Sequence, residues 1–286
     1  MTVTDAVIPV AGLGTRLLPA TRAQPKEMLP VVDRPVVQYV VEELVRAGVA
    51  RILFVTGRRK RAIEDHFDAD PELGSSPLFD DRSGLQLLYT RQASPAGLGD
   101  AIRVGAGLAP ESGVVVALGD AIIEPPPHST PGIVPRLVEA FERTGAVAAV
   151  AVEEVDDAAV SRYGIVVGEE RDGMIEAERV LEKPRPGTVT SRLAIAARYV
   201  LGPSVFETLR DTAPDANGEV QVADALTTLL GRGERVVAVR LAHGEHRHDI
   251  GTVQSYCSAF LRYALRDQHF GAELRAEAEA ILRESA

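Results

Sequence analysis

The chain has 286 residues, 45% hydrophobic and 25% charged, enough to bury a substantial core in one large α/β domain or two small ones. Its formal charge of −10 argues against general nucleic-acid binding, so a chain of this balance that handles anions must gather its cations locally. Met1-Thr-Val-Thr-Asp5 lacks the basic start and long apolar stretch of a secretory signal, no apolar run reaches the roughly eighteen residues of a membrane span, and Cys257 is the single cysteine, which together point to a reduced, cytoplasmic setting.

In chain order, Ala6-Val-Ile-Pro-Val10 reads as a buried parallel strand. It opens into Ala11-Gly-Leu-Gly-Thr15, a glycine turn whose backbone N–H groups a phosphate can approach closely. Arg16 and Lys26 follow as fixed cations, with Arg22 and Arg34 completing a local basic segment. The P-loop spacing is absent. The dinucleotide fingerprint fails too, because Leu17 stands where that loop needs a third small residue.

Residues 33–48 have helical apolar spacing, with Pro35 suited to the first turn and Gly48 to the end. A strand is predicted at 51–56, a solvated basic turn at Arg58-Arg-Lys-Arg61, a short helix at 62–67 and a surface loop at 69–84. A strand at 85–90 and a helix at 99–108 precede residues 113–118, apolar throughout and hence buried on both faces. The proline-rich segment 124–131 reads as a loop. Further on, 134–144, 203–210 and 220–230 look helical, and 147–152 and 236–241 look like strands. Beyond Thr252 two helical apolar stripes appear, Tyr256, Phe260, Leu261, Ala264 and Leu265, then Leu274, Ala278, Ile281 and Leu282. The expected fold is α/β: a Rossmann-like, mixed and mostly parallel sheet flanked by helices, spanning 1–252, with a helical extension over 253–286.

Asp120 lies at the carboxyl end of the buried strand, where open α/β sheets place ligands. A carboxylate there can hold Mg2+ against a triphosphate or serve as a turn cap. His246, His248 and Asp249 invite a zinc reading, yet in an extended chain the two histidines share one face and Asp249 takes the other. Histidines on the solvent side of a strand are the expectation.

Gly12-Leu-Gly-Thr-Arg-Leu-Leu-Pro-Ala-Thr21 followed by Pro25-Lys-Glu-Met-Leu-Pro30 resembles the signature of the sugar-1-phosphate nucleotidyltransferases. Its form is most like that of their bacterial UTP–glucose-1-phosphate uridylyltransferases. The resemblance runs in order from about residue 7 to 251 and implies a nucleotide-diphospho-sugar transferase fold. It also implies that UTP and glucose 1-phosphate give UDP-glucose and pyrophosphate, with Mg2+ on Asp120 and on Asp249 of Asp249-Ile-Gly251. By the same resemblance Ala11, Gly12, Gly14 and Thr15 contact the nucleotide, and Arg16 and Lys26 stabilise the leaving pyrophosphate. Gly164, Glu182 and Tyr199 face the sugar, and Lys183 reaches its phosphate. Gln92, five residues before Gly97, would read the base: an amide offers a donor and an acceptor to the N3–H and O4 edge of uracil or thymine. Amide rotation would admit cytosine in part, whereas the glycine backbone excludes purines by size.

Ala197 stands in place of the usual glycine beside the sugar, and Ala223 in place of a threonine of the Gly218-Glu-Val-Gln-Val-Ala-Asp224 segment that frames the pocket. These departures keep a dTTP-dependent thymidylyltransferase in view, and a non-catalytic nucleotide-sugar-binding protein is the reading from another class. No nucleic-acid or membrane partner is expected; a homo-oligomer, dimer or tetramer, is.

Overall fold

The computed structural model describes residues 3–68, 84–108, 112–126 and 130–284. The loop expected at 69–84 lies outside these apart from its last residue, as do 127–129 of the proline-rich segment. Strand β1 (Asp5–Pro9) leads through the glycine turn to a small hairpin, β2 (Pro30–Val31) with β3 (Arg34–Pro35). Then come α1 (Val36–Arg46), β4 (Arg51–Thr56), α2 (Arg61–Phe67), β5 (Gln86–Arg91) and α3 (Leu98–Val104). They are followed by β6 (Val114–Ala117), β7 (Ala121–Glu124), α4 (Ile133–Thr144) and β8 (Ala148–Glu154). The second half holds β9 (Gly164–Arg171), β10 (Met174–Glu182), β11 (Leu193–Leu201), α5 (Pro203–Asp211), α6 (Val222–Gly231) and β12 (Val236–Arg240). It ends with β13 (His246–Asp249), α7 (Val253–Arg266) and α8 (Gly271–Glu284).

Among the described residues one sheet holds nine strands in the order β5-β4-β1-β6-β11-β8-β12-β10-β9. Pairing is parallel from β5 to β6 and between β8 and β12, and antiparallel wherever β9, β10 or β11 meets a neighbour. The mixed, helix-flanked sheet matches the expectation, with its parallel part concentrated in the N-terminal half. The β9–β10 hairpin was not anticipated, although its turn signal is present: Asp172 and Gly173 both take positive φ, 52° and 75°, as a two-residue type I′ turn requires.

Alternation along the strands divides the core in two. Ala6, Ile8, Ile52, Phe54, Val115 and Ala117 pack on one face with α1, α2 and α4. Val7, Leu53, Val55, Val114 and Val116 pack on the other with α3, α5 and α6. Helix α1 begins at Val36, because Pro35 is extended and pairs within the hairpin. The helix expected at 99–108 is α3 continued by a 3-10 turn over residues 105–108.

The helical extension is only partly packed. Ala259 is buried beside Ile122 and Ile250, with Tyr256 and Tyr263 half-buried against the same cluster, and the Tyr256 hydroxyl donates to Pro30 O at 2.8 Å. Phe260 and Leu261 of the first apolar stripe remain exposed, as do Leu274 and Leu282 of the second, so packing onto the core accounts for only part of the first stripe and does not account for the second. No helix among the described residues is long and apolar enough to cross a membrane.

Candidate active site

Strand β4 flanks β1 on one side and β6 flanks it on the other, so the segments leaving the carboxyl ends of β1 and β6 diverge and open a crevice. A cavity of about 510 Å3 occupies it. Its floor is the turn after β1, Ala11, Gly12, Gly14 and Thr15; Arg16 and Lys26 stand beside them, and Gln92, Gly97 and Asp120 complete the wall. A second cavity of about 370 Å3 adjoins it, lined by Gly164, Glu182, Lys183, Tyr199 and Asp249. Arg16, Leu98, Leu118, Asp120 and Glu219 line both. Every residue singled out from the sequence as a site residue therefore lies in one of two connected cavities.

Local backbone geometry explains several residue choices. Gly14 sits at φ 65°, where a side chain would press on Lys26 and Thr21 at 3.3 Å. Gly97 sits at φ 91°, and a Cβ there would come within 2.8 Å of the backbone oxygen of Val220, which cannot swing aside as a side chain could. Lys183 follows β10 with φ 43° and donates its amide to Tyr163 O at 3.0 Å. A lysine held in the left-handed region at a cavity wall is a strained residue of the kind found at ligand sites.

Asp249 reaches the crevice through strand pairing: β13 runs antiparallel to β7, Asp249 opposite Ala121, and Ile250 N donates to Asp120 O at 2.9 Å. Two carboxylates from distant segments are thus brought side by side. Burial and the neighbouring Asp120 charge push the Asp249 carboxyl up, against Arg247, Lys26 and Arg16. Burial would raise Asp120 as well, but the Lys26 ammonium bonded to it holds it below the ordinary carboxylate value. Burial pulls Lys26 down, and Asp120 and Glu27 outweigh that and hold it up.

Lys183 pairs with Glu182 at 2.8 Å, half-exposed at the second cavity. Arg16 faces both cavities and forms no ion pair among the described residues. The Gln92 amide departs from the expectation. Its Nε2 donates to Gly97 O at 3.3 Å and to Asp100 Oδ2 at 2.6 Å, so its donors are already engaged and only Oε1 remains for a base.

Three further expectations are corrected. Arg34 lies at the hairpin and bonds Glu42 at 3.1 Å, and neither it nor Arg22 lines either cavity; only Arg16 and Lys26 of the basic segment reach the site. Arg58–Arg61 is not solvated throughout, because Lys60 is 5% exposed and bonds the still more deeply buried Glu27 at 2.6 Å. His246 is exposed, as expected of a solvent-side histidine, but His248 is covered by Tyr263 and lies 3.4 Å from Glu124. Helix α7 packs over that face, which strand alternation alone does not reveal. No zinc-like group of three ligands occurs among the described residues.

Arg162 and Arg247 also line the second cavity and were missed. Arg247 lies over the Tyr163 ring at 4.1 Å and pairs with Glu153 at 2.6 Å. Strand alternation places it on the Asp249 face, opposite to His246 and His248, and that is the sequence signal for it.

A family model described as nucleotidyl transferase matches residues 5–265. The chain belongs to the nucleotidyl transferase family. It is 41% identical over 281 residues to a protein of Staphylococcus saprophyticus named UTP–glucose-1-phosphate uridylyltransferase 2, covering 94% of each chain. Among solved structures, a UDP-glucose pyrophosphorylase complexed with UDP-glucose superposes with a TM-score of 0.84 at 36% identity, covering 93% of this chain and 100% of that one. A UTP-bound UGPase from Acinetobacter baumannii superposes with a TM-score of 0.86 at 32% identity, covering 96% and 98%.

Proposed function

We propose that this nucleotidyl transferase joins UTP and α-D-glucose 1-phosphate to give UDP-glucose and pyrophosphate. The observation that carries the proposal is the pair of cavities meeting at Asp120 and Arg16, one walled by the glycine turn and the other by Glu182 and Lys183. An oxygen of the sugar phosphate attacks the α-phosphorus of UTP in line. The bond from that phosphorus to the bridging oxygen of the β-phosphate breaks, and pyrophosphate leaves on the opposite side. The attacking phosphate is already ionised at neutral pH, so no protein nucleophile is needed and catalysis is positioning plus charge neutralisation.

In this reading Ala11, Gly12, Gly14 and Thr15 cradle the triphosphate, and Arg16 and Lys26 take the charge that develops on pyrophosphate. Lys183 leaves Glu182 to hold the attacking phosphate, while Glu182, Gly164 and Tyr199 seat the sugar. Asp120 and Asp249 are hard oxygen donors set side by side, a donor pair that suits Mg2+ completed by phosphate oxygens and water. Bound there, Mg2+ supplies neutralisation of the triphosphate charge. Residues 1–252 hold every residue given a role in the reaction, and 253–286 form a helical extension. A homo-oligomer, dimer or tetramer, in a cytoplasmic setting completes the proposal, supported by the exposed apolar side chains of α7 and α8; sedimentation equilibrium tests the oligomer.

Pyrophosphate release, measured with UTP, dTTP, CTP, GTP and ATP against several sugar 1-phosphates, tests the reaction. UTP with glucose 1-phosphate should be fastest, dTTP second and the purines far behind. A preference for GTP or ATP would overturn the base assignment, and no release with any pair would overturn the reaction.

A further inference from the structure

Gln92 and Asp100 form a buried pair whose chemistry is asymmetric. Gln92 is 5% exposed and Asp100 is 7% exposed. The Gln92 Nε2 group carries two hydrogens, one directed to Gly97 O and the other to Asp100 Oδ2. Asp100 Oδ1 is held in turn by Arg103. Turning the amide over would set Gln92 Oε1 against the Asp100 carboxylate and the Gly97 carbonyl, two acceptors facing an acceptor. A carboxylate cannot donate to relieve that contact, and the buried site leaves little water to do so. The amide therefore has one orientation, with Oε1 as the end available to the 510 Å3 cavity that Gln92 lines.

We infer that Asp100 is a positioning residue for base selection: it locks the Gln92 amide so that only an acceptor faces the nucleobase, admitting bases with N3–H and rejecting cytosine. The inference rests on the assignment of this cavity to the base of UTP. Uracil and thymine both carry a hydrogen on N3, which Oε1 accepts. Cytosine presents a lone pair at N3, and acceptor would meet acceptor. A free glutamine could rotate to suit either pattern; one fixed by Asp100 cannot. Arg103 adds the second half of the device by holding the Asp100 carboxylate.

The test is the ratio of kcat/KM for UTP to that for CTP, with dTTP as control. In Asp100→Asn the Arg103 guanidinium claims the amide oxygen and turns Nδ2 toward Gln92. The turned-over amide then faces one acceptor, Gly97 O, in place of two, and gains a donor at position 100, so Gln92 populates the orientation that offers Nε2 to the base. The UTP-to-CTP ratio is expected to fall at least about tenfold, the equivalent of ~1.4 kcal/mol, while the UTP-to-dTTP ratio stays within about twofold because both bases share the N3–H edge. Asp100→Ala, which leaves nothing to hold the amide, should lower the ratio less. Gln92→Glu alone should be impaired by carboxylate facing carboxylate. Adding Asp100→Asn to it should restore selection for UTP, since the carboxylate introduced at position 92 then accepts from the amide introduced at position 100 and still offers an acceptor to N3–H. Rescue of that kind is not expected of a residue that merely supports α3. An unchanged UTP-to-CTP ratio in Asp100→Asn or Asp100→Ala, with Gln92→Leu lowering it, overturns the role of Asp100 alone. An unchanged ratio in Gln92→Leu overturns the base assignment beneath it.

Discussion

Two residues carry charges whose loss has separable consequences. Asp120→Asn keeps the size of the side chain and removes a negative oxygen donor that lies in both cavities. Turnover is expected to drop on the order of a hundredfold or more; near-normal rates in excess Mg2+ would make Asp120 a turn cap. Lys183→Ala should raise KM for the sugar phosphate with little effect on that for UTP, because Lys183 lines only the second cavity. Steady-state kinetics with each substrate varied in turn decides this. Glu27 and Lys60 are different, for they face each other with almost no solvent. Burial pushes Glu27 up and Lys60 down, each toward its neutral form, and their mutual attraction opposes both. Lys60→Met leaves the carboxylate buried alone and is expected to cost about 3–5 kcal/mol in urea unfolding. Adding Glu27→Gln should return part of that loss, because the orphaned charge is then gone.

At the scale of elements, β7, β13 and α7 depend on one carboxylate. Glu124 at the end of β7 bonds Arg262 and Arg266 of α7 and lies close to His248 of β13. Burial would raise its pKa, but bonds to Arg262 and His248 and the charge of Arg266 hold it below the ordinary value of 4.5. A depressed folded-state pKa contributes stability above the unfolded value, and that contribution fades as pH falls through the folded one. The difference in Tm between the wild type and Glu124→Gln should therefore be constant near neutral pH and shrink toward zero below about pH 4. A difference that grew on acidification would reverse the sign. The β9–β10 hairpin carries the same lesson from the opposite side. Its Asp172-Gly173 turn was readable, yet its strands carry short apolar runs broken by charged residues, as in Ile165-Val-Val167 followed by Glu169, Glu170 and Arg171, and show neither strict alternation nor the wholly apolar stretch that marked β6.

For the molecule as a whole, the two helices of the extension should not be equivalent. Ending the chain at Thr252 removes Ala259, Tyr256 and Tyr263 from the cluster around Ile122 and Ile250, next to the strand pair that positions Asp249. That truncation is expected to cost on the order of 3–6 kcal/mol and to abolish activity. Ending it at Phe270 removes α8, whose residues are mostly exposed, and should leave Tm and turnover close to those of the full chain. Thermal unfolding and pyrophosphate release on both truncations test the difference. Equal losses from the two would mean that α8 contributes to the core or to assembly.

Local sequence determined the glycine turn, the buried strand that leads to Asp120 and the alternation of helices and strands in the first half. Each of these is written in neighbouring residues: glycine where φ is positive, apolar runs where both faces are covered. Gln92, Glu182, Lys183 and Tyr199 were legible through short motifs that resemble a known family's, whereas Arg162 and Arg247 of the second cavity were not. Tertiary structure alone decided which distant segments meet. Asp249 reaches Asp120 through the pairing of β13 with β7, Lys60 is buried because Glu27 faces it, and His248 is covered because α7 crosses its face. The orientation of the Gln92 amide belongs to this second group. Composition of a side chain sets which hydrogen bonds it can make, and only packing sets which of them are already taken.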